Sequence, residues 1–202
     1  MLKLFVFTDI HASRSGLEKL RINIDKHKPD LLICAGDISI FENGLEYTIK
    51  KLGDLGTRCL LIHGNHEDET LTQGLCRREK SLVFIHRQAY YVGDTLFLGF
   101  GGGGFSQVDS DFDEFIGSVE DKIGRAADIV LVVHQPIHNT KTDQLYSGSH
   151  VGNKSYRKFI QKYSKKIRLV VCGHIHDSFG TEDEVGGVKI VNPGPDGKFI
   201  SI

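Results

Sequence analysis

Seven side chains able to hold a metal ion stand just after five apolar runs: Asp9 and His11, Asp37, Asn65, His134, and His174 with His176. A lone histidine after a strand is more often hydrogen-bonded than metal-bound. Five such run-ends form a pattern, because strands of an open parallel sheet place their carboxyl ends on one shared rim. Three or four protein groups complete one zinc site, so seven suit two ions that share a bridging carboxylate. Oxygen and imidazole donors without thiolates suit Mn, Fe, Zn or Ni. Two divalent ions bring four positive charges and two aspartates return two. The centre stays positive, which matches a phosphate group.

The densest run-end is Cys59-Leu60-Leu61-Ile62-His63-Gly64-Asn65-His66-Glu67-Asp68. Its apolar half reads as a buried strand. Gly64 is expected to let the backbone turn sharply, presenting Asn65 and His66 in a loop at the strand's end. Taken alone, the stretch also fits a polar turn with Asp68 as a helix N-cap. The other four run-ends carry the metal reading.

The elements that must position these residues follow from periodicity. Leu2–Phe7, Leu31–Ala35, Cys59–Ile62, Asp128–Val133 and Arg168–Cys172 are continuous apolar runs, as expected of strands buried on both faces. Between the first three lie amphipathic helices. One starts at the capping-box spacing Ser15–Glu18 and buries Leu17, Leu20 and Ile24; the next buries Leu45, Ile49, Leu52 and Leu55 and ends toward Gly56. Alternating strand and helix predicts an α/β fold with parallel strands and right-handed crossovers. Short strands are expected at Leu82–Ile85, Ala89–Val92 and Thr95–Gly99, with helices over Asp109–Gly124 and Lys154–Lys166 and closing strands at Val188–Val191 and Lys198–Ile202. Gly101-Gly102-Gly103-Gly104 matches no phosphate-binding glycine pattern and reads as a flexible loop near the site. No repeat or linker divides residues 1–202, so a single domain is expected.

With 202 residues there is room for one good core, and a net charge of −1 advertises no basic surface for nucleic acid. No apolar run approaches the ~20 residues of a membrane span. Met1–Phe7 is too short for a signal sequence, so a cytoplasmic protein without a membrane partner is expected. The four cysteines show no Cys-x-x-Cys pair; Cys34, Cys59 and Cys172 lie in apolar runs and read as small hydrophobes, and Cys76 is expected to end a short helix.

Asp9-x-His11, Gly36-Asp37, Gly64-Asn65-His66-Glu67, His134 and Gly173-His174-x-His176 together resemble the signature of the calcineurin-like metallophosphoesterases, and the resemblance spans nearly the whole chain. It implies a four-layer αββα sandwich of two mixed β-sheets. It further implies that Asp9, His11 and His176 hold one divalent ion, that Asn65, His134 and His174 hold the other, and that Asp37 bridges them. His66 is implied to contact phosphate and protonate the leaving oxygen. Gly36-Asp37-Ile38-Ser39-Ile40-Phe41-Glu42 departs from the Gly-Asp-x-x-Asp-Arg-Gly of the phosphoprotein phosphatase branch, and with it goes the aspartate that pairs with the catalytic histidine. No metal-binding tyrosine follows Gly36-Asp37, unlike the purple acid phosphatases.

The expectation is a small dinuclear phosphodiesterase, with manganese as the favoured metal and a metal-bridging hydroxide attacking in line. A monoesterase on a small phosphorylated metabolite is the alternative within the class. A scaffold that kept the fold without the chemistry is the alternative outside it. Nucleic acid enters only as a possible substrate.

Overall fold

Alternation within the first strand already divides its side chains between two cores. In β1 (Lys3–Phe7), Leu4 and Val6 enter one apolar layer while Phe5 and Phe7 enter another. The same two-faced burial recurs in β2 (Leu31–Cys34) and β3 (Cys59–Leu61), as continuous apolar runs require. A computed structural model describes residues 1–202.

With β4 (Leu82–Phe84), these three strands run parallel in the order β1-β2-β3-β4. Helices α1 (Arg14–His27), α2 (Leu45–Gly53) and α3 (Glu69–Cys76) make the connections. The second sheet holds β5 (Gln88–Val92), β6 (Thr95–Phe100), β7 (Asp128–Val133), β8 (Ile167–Val171), β9 (Glu182–Val185) and β10 (Val188–Val191), in the order β5-β6-β7-β8-β10-β9. Its four inner strands are parallel and both edge strands antiparallel. The last strand, β11 (Lys198–Ser201), returns to pair antiparallel with β1. Both sheets are therefore mixed.

Three apolar clusters define four layers. Phe5, Phe7, Leu32 and Leu61 pack under Leu20, Ile49 and Leu75 of α1–α3. Leu4, Val6, Ile33 and Leu60 meet Phe97, Val130, Val132 and Val171 between the sheets. Leu98, Leu131 and Val170 pack against Phe112 and Phe115 of α4 (Ser110–Ser118), Ile123 of α5 (Glu120–Arg125), and Tyr156, Phe159 and Ile160 of α6 (Lys154–Lys162). Each fully buried Leu, Ile or Val in these layers contributes roughly 1.5–3 kcal/mol. This is the αββα sandwich that the resemblance implies. No helix is long and apolar enough to cross a membrane.

Local details depart from the sequence reading. Ser13, not Ser15, caps α1, its side chain accepting from the Gly16 N–H at 3.1 Å. Helix α2 stops at Gly53, short of Gly56. The helix expected over Asp109–Gly124 breaks at Val119, whose φ of −116° ends α4 and starts α5. Phe112, Phe115 and Ile123 lie in one cluster across the break. The five ligand-bearing run-ends do not share one sheet: β1, β2 and β3 belong to the first, β7 and β8 to the second. Packing of the two sheets brings the two rims together.

Candidate metal centre

Strand ends that turn at once into loops give the site its backbone. Asp9, His11, Asp37 and His174 have φ of 55°, 47°, 49° and 71°, in the left-handed region that non-glycine residues rarely occupy. Each such residue costs on the order of 1–3 kcal/mol, and that strain gathers at functional sites. Cross-loop bonds hold it: Asp9 N–H donates to Gly36 O at 3.0 Å, His11 N–H to Asp37 O at 3.0 Å, and Gly173 N–H to His134 O at 2.9 Å.

Gly64 serves these loops differently from the turn expected of it. Its φ is not positive; a Cβ there would lie 2.0 Å from Asp37 Oδ1. Glycine is needed because two loops touch. Buried Glu67 ties the same loops together. Its carboxylate accepts from Gly64 N at 2.8 Å, Asp37 N at 3.0 Å, Ser39 N at 2.9 Å and Ser39 Oγ at 2.7 Å. Asp68 also caps α3 by accepting from Leu71 N at 2.8 Å, so the capping reading and the site reading of this stretch both hold locally.

All seven candidate ligands converge. His176 Nε2 lies 3.2 Å from His11 Nε2 and 3.5 Å from Asp9 Oδ1. His134 Nε2 lies 3.0 Å from Asn65 Oδ1. Asp37 Oδ2 stands between the groups, 4.0 Å from His11 Nε2 and 3.3 Å from His134 Nε2. Donor atoms of Asp9, His11 and His176 lie within 4.8 Å of one another, as do those of Asp37, His134 and His174. Asp9, Asp37 and His134 are buried, whereas Asn65 and His176 are exposed, so the centre opens to solvent on their side.

Whether these residues fit metal ions is decided by their lone pairs. His11 Nδ1 faces Ser39 O at 2.9 Å and His134 Nδ1 faces Ala35 O at 2.8 Å. A carbonyl only accepts, so both Nδ1 atoms carry hydrogen and both neutral rings turn an Nε2 lone pair inward. Such outer bonds are how metal-ligating imidazoles are usually fixed. Asp9 Oδ1 and His174 Nε2 are buried in the same place without a hydrogen-bond partner. Acceptors converging without donors call for cations. The donor set fits a dinuclear divalent metal site.

In the protein chain by itself, a proton partly fills that need. Burial opposes ionisation of Asp37, but the hydrogen bond and charge of His134 outweigh it and hold its carboxyl at about 2. Burial likewise opposes charge on His134, yet its contact with Asp37 lifts it to about 9. Burial, then the charge of His134, depresses His174 to about 4. A hydrogen bond to Asp9 raises His176.

His66 sits beside the centre, its ring 4.9 Å from that of His11 and its Nε2 3.8 Å from Asp37 Oδ2. Its orienting partner is backbone: Phe41 N–H donates to His66 Nδ1 at 3.3 Å, and the Phe41 ring lies 4.2 Å from the imidazole. The neutral ring then carries its proton on Nε2, facing the centre. Complete transfer of that proton requires Nδ1 to take one and displaces the Phe41 contact. Sequence reasoning missed Phe41, Ser39 and the role of Glu67, because a backbone donor and a loop tie leave no residue-type signal.

Gly101–Gly104 is more closely packed than a flexible loop at its start. Gly101 N–H donates to His86 Nδ1 at 2.7 Å, and a Cβ on Gly101 would lie 2.5 Å from His63 O. His63, Glu69 and His86 form another cluster of potential ligands. His86 spends its Nδ1 lone pair on Gly101, which leaves its proton on Nε2 toward Glu69 Oε2 at 3.5 Å. Burial holds His63 at about 4 and His86 at about 3. His86 is a neutral hydrogen-bonding ring in a packed wall, and His63 is a neutral ring beside it whose buried Nδ1 has no hydrogen-bond partner.

The family model for calcineurin-like phosphoesterases matches residues 2–178. An uncharacterized protein of Methanocaldococcus jannaschii is 30% identical over 98% of this chain and 91% of its own. A Synechococcus protein named as a probable cyclic nucleotide phosphodiesterase is 24% identical over 78% of this chain and 62% of its own. The fold is shared with a solved dimetal phosphatase of Danio rerio, at TM-score 0.67 and 10% identity over 94% of this chain and 86% of that one. From its strand-end motifs to its matched family model, the chain belongs to the calcineurin-like phosphoesterases.

Proposed function

We propose that this chain is a dinuclear-metal phosphodiesterase acting on small phosphate diesters. The observation that carries the reading is Asp37 Oδ2, poised between His11 Nε2 at 4.0 Å and His134 Nε2 at 3.3 Å. Asp9, His11 and His176 would hold one ion, Asn65, His134 and His174 the other, and Asp37 both. Bound there, the ions would supply a water of lowered pKa and positive charge for the phosphoryl oxygens. Manganese is the metal we propose, with Fe, Zn and Ni compatible with the same donors.

The chain's own residues orient and move protons. Hydrolysis forms one P–O bond from water and breaks the P–O bond to the leaving alcohol, whose oxygen needs a proton. His66 Nε2–H, turned toward the centre by the Phe41 N–H at Nδ1, is the donor placed to give it. Glu67 keeps the Asp37 and Asn65 loops in register through its bonds to Asp37 N–H and Gly64 N–H. The Synechococcus relative's name supports diester over monoester chemistry.

A screen of the manganese-loaded protein against cyclic nucleotides, dinucleotides, glycerophosphodiesters and monoesters tests the proposal. Diesters are expected to show the higher kcat/KM. Faster turnover of monoesters would overturn the diester assignment, and no turnover with any divalent metal would overturn the enzyme.

A further inference from the structure

Two phenylalanines stand in solvent at the candidate centre. Phe41 is 71% exposed and Phe105 is 65% exposed, against complete burial for Phe7, Phe97 and Phe112. Neither is a stray surface ring. Phe41 lies 4.2 Å from the His66 imidazole, and Phe105 lies 5.0 Å from that of His174. His66 is on the His11 side of Asp37, whereas His174 meets His134 edge-on, on the other side. The two rings therefore stand on either side of Asp37, each tilted against a site histidine and largely exposed.

The chain is strained to hold Phe41 there. Phe41 and Glu42 have φ of 47° and 67°, and Glu42 N–H is tied back to His66 O at 3.0 Å. Gly102 and Gly103, at φ of 73° and 107°, lead the chain into Phe105. A large ring in water gains nothing for folding, and the left-handed backbone at Phe41 costs stability besides. Substrate contact accounts for both.

We propose that Phe41 and Phe105 are specificity residues that stack a nucleobase, so that the substrate is a small nucleotide diester. The proposal rests on the phosphoesterase reading above and supplies its substrate class. A flat ring a few bonds from a phosphate is what nucleotides offer. Lipid diesters would need a continuous apolar surface, and here the two rings are parted by a polar centre. A nucleic-acid strand needs a row of cations along its backbone, and the chain, at net charge −1, carries 25 Lys and Arg against 26 Asp and Glu.

The test is binding, measured by calorimetry on manganese-loaded protein with adenosine 5′-monophosphate and ribose 5-phosphate as probes. The nucleotide is expected to bind about 5- to 150-fold tighter, the factor typical of stacking one base on an aromatic ring. In Phe41→Ala/Phe105→Ala the ratio of the two affinities should fall to near one, and Phe41→Tyr/Phe105→Tyr should restore it. Equal affinities in the native protein, or a ratio the alanines leave unchanged, would overturn the stacking role. Tighter binding of a single-stranded oligonucleotide with steep salt dependence would overturn the small-molecule assignment. A ring-dependent ratio without diester hydrolysis supports the stacking role and sinks only the catalytic reading.

Discussion

Phe41 meets His66 twice: its N–H points at Nδ1 from 3.3 Å, and its ring lies 4.2 Å from the imidazole. A side chain that a branch of the family uses to orient this histidine is replaced here by a peptide group. The donor turns His66 Nε2 toward Asp37 and the candidate metal centre.

A proton donor matters most when the leaving group is poor. A positioned acid contributes ~10²–10⁴-fold, whereas nitrophenolate departs without help. His66→Ala should therefore keep both ions and lose ~10²-fold or more on a nucleoside or alkyl diester, with a much smaller loss on a p-nitrophenyl ester. Equal losses on the two substrates would mean that His66 grips phosphate without donating its proton.

Asp37 is the residue assigned to both ions, and His176 to one. Asp37→Asn should weaken both binding steps in a manganese titration, by more than the ~10–100-fold that follows loss of an outer hydrogen bond. His176→Ala should weaken one step and leave the other. Two unchanged steps in Asp37→Asn would assign the bridge elsewhere.

Glu67 touches no substrate position, yet it satisfies Gly64 N, Asp37 N and Ser39 N in the interior. Glu67→Ala strands those donors at roughly 1–3 kcal/mol each. Urea unfolding of the metal-free protein should show a loss of ~3 kcal/mol or more. A loss below that, with metal binding intact, would contradict the loop-tying role.

Much of the site was legible because its chemistry falls at strand ends. Apolar runs such as Ile129–Val133 announce buried strands, and five of them ending in metal-binding residue types mark a shared rim. That the rims belong to two sheets was not legible, since side-chain type carries no record of which strands pair. Gly64 was visible, but its reason was not: the carboxylate that would collide with a Cβ comes from Asp37, 27 positions earlier. The spacing of Ser15 to Glu18 points to a cap two residues too late, because in the fold the chain turns through His11 and Ala12 and α1 starts at Arg14, with Ser13 accepting from Gly16 N–H. Nothing in residue type marks Phe41 and Phe105 as exposed, and only the fold leaves them outside.

His86 gives a pH dependence away from the candidate ligands. Burial, then the charges of His63 and Arg87, holds its pKa at about 3, against 6.5 for a free imidazole. The unfolded chain takes up this proton near pH 6.5 and the folded chain only near pH 3, so acid favours unfolding between those values. The stability involved is roughly 3–5 kcal/mol. His86→Gln, whose amide oxygen can still accept from Gly101 N–H, should flatten the fall in metal-free stability from pH 6.5 to 4. An unchanged slope would contradict the burial of a neutral ring there.

A pair of ions would be held by seven side chains, Asp37 and the six around it. Elemental analysis of manganese-saturated, desalted protein, paired with a calorimetric titration of the metal-free chain, tests it most directly. The account predicts two ions per chain, both removed by chelation and both required for hydrolysis. One ion at saturation, with full activity, would contradict it.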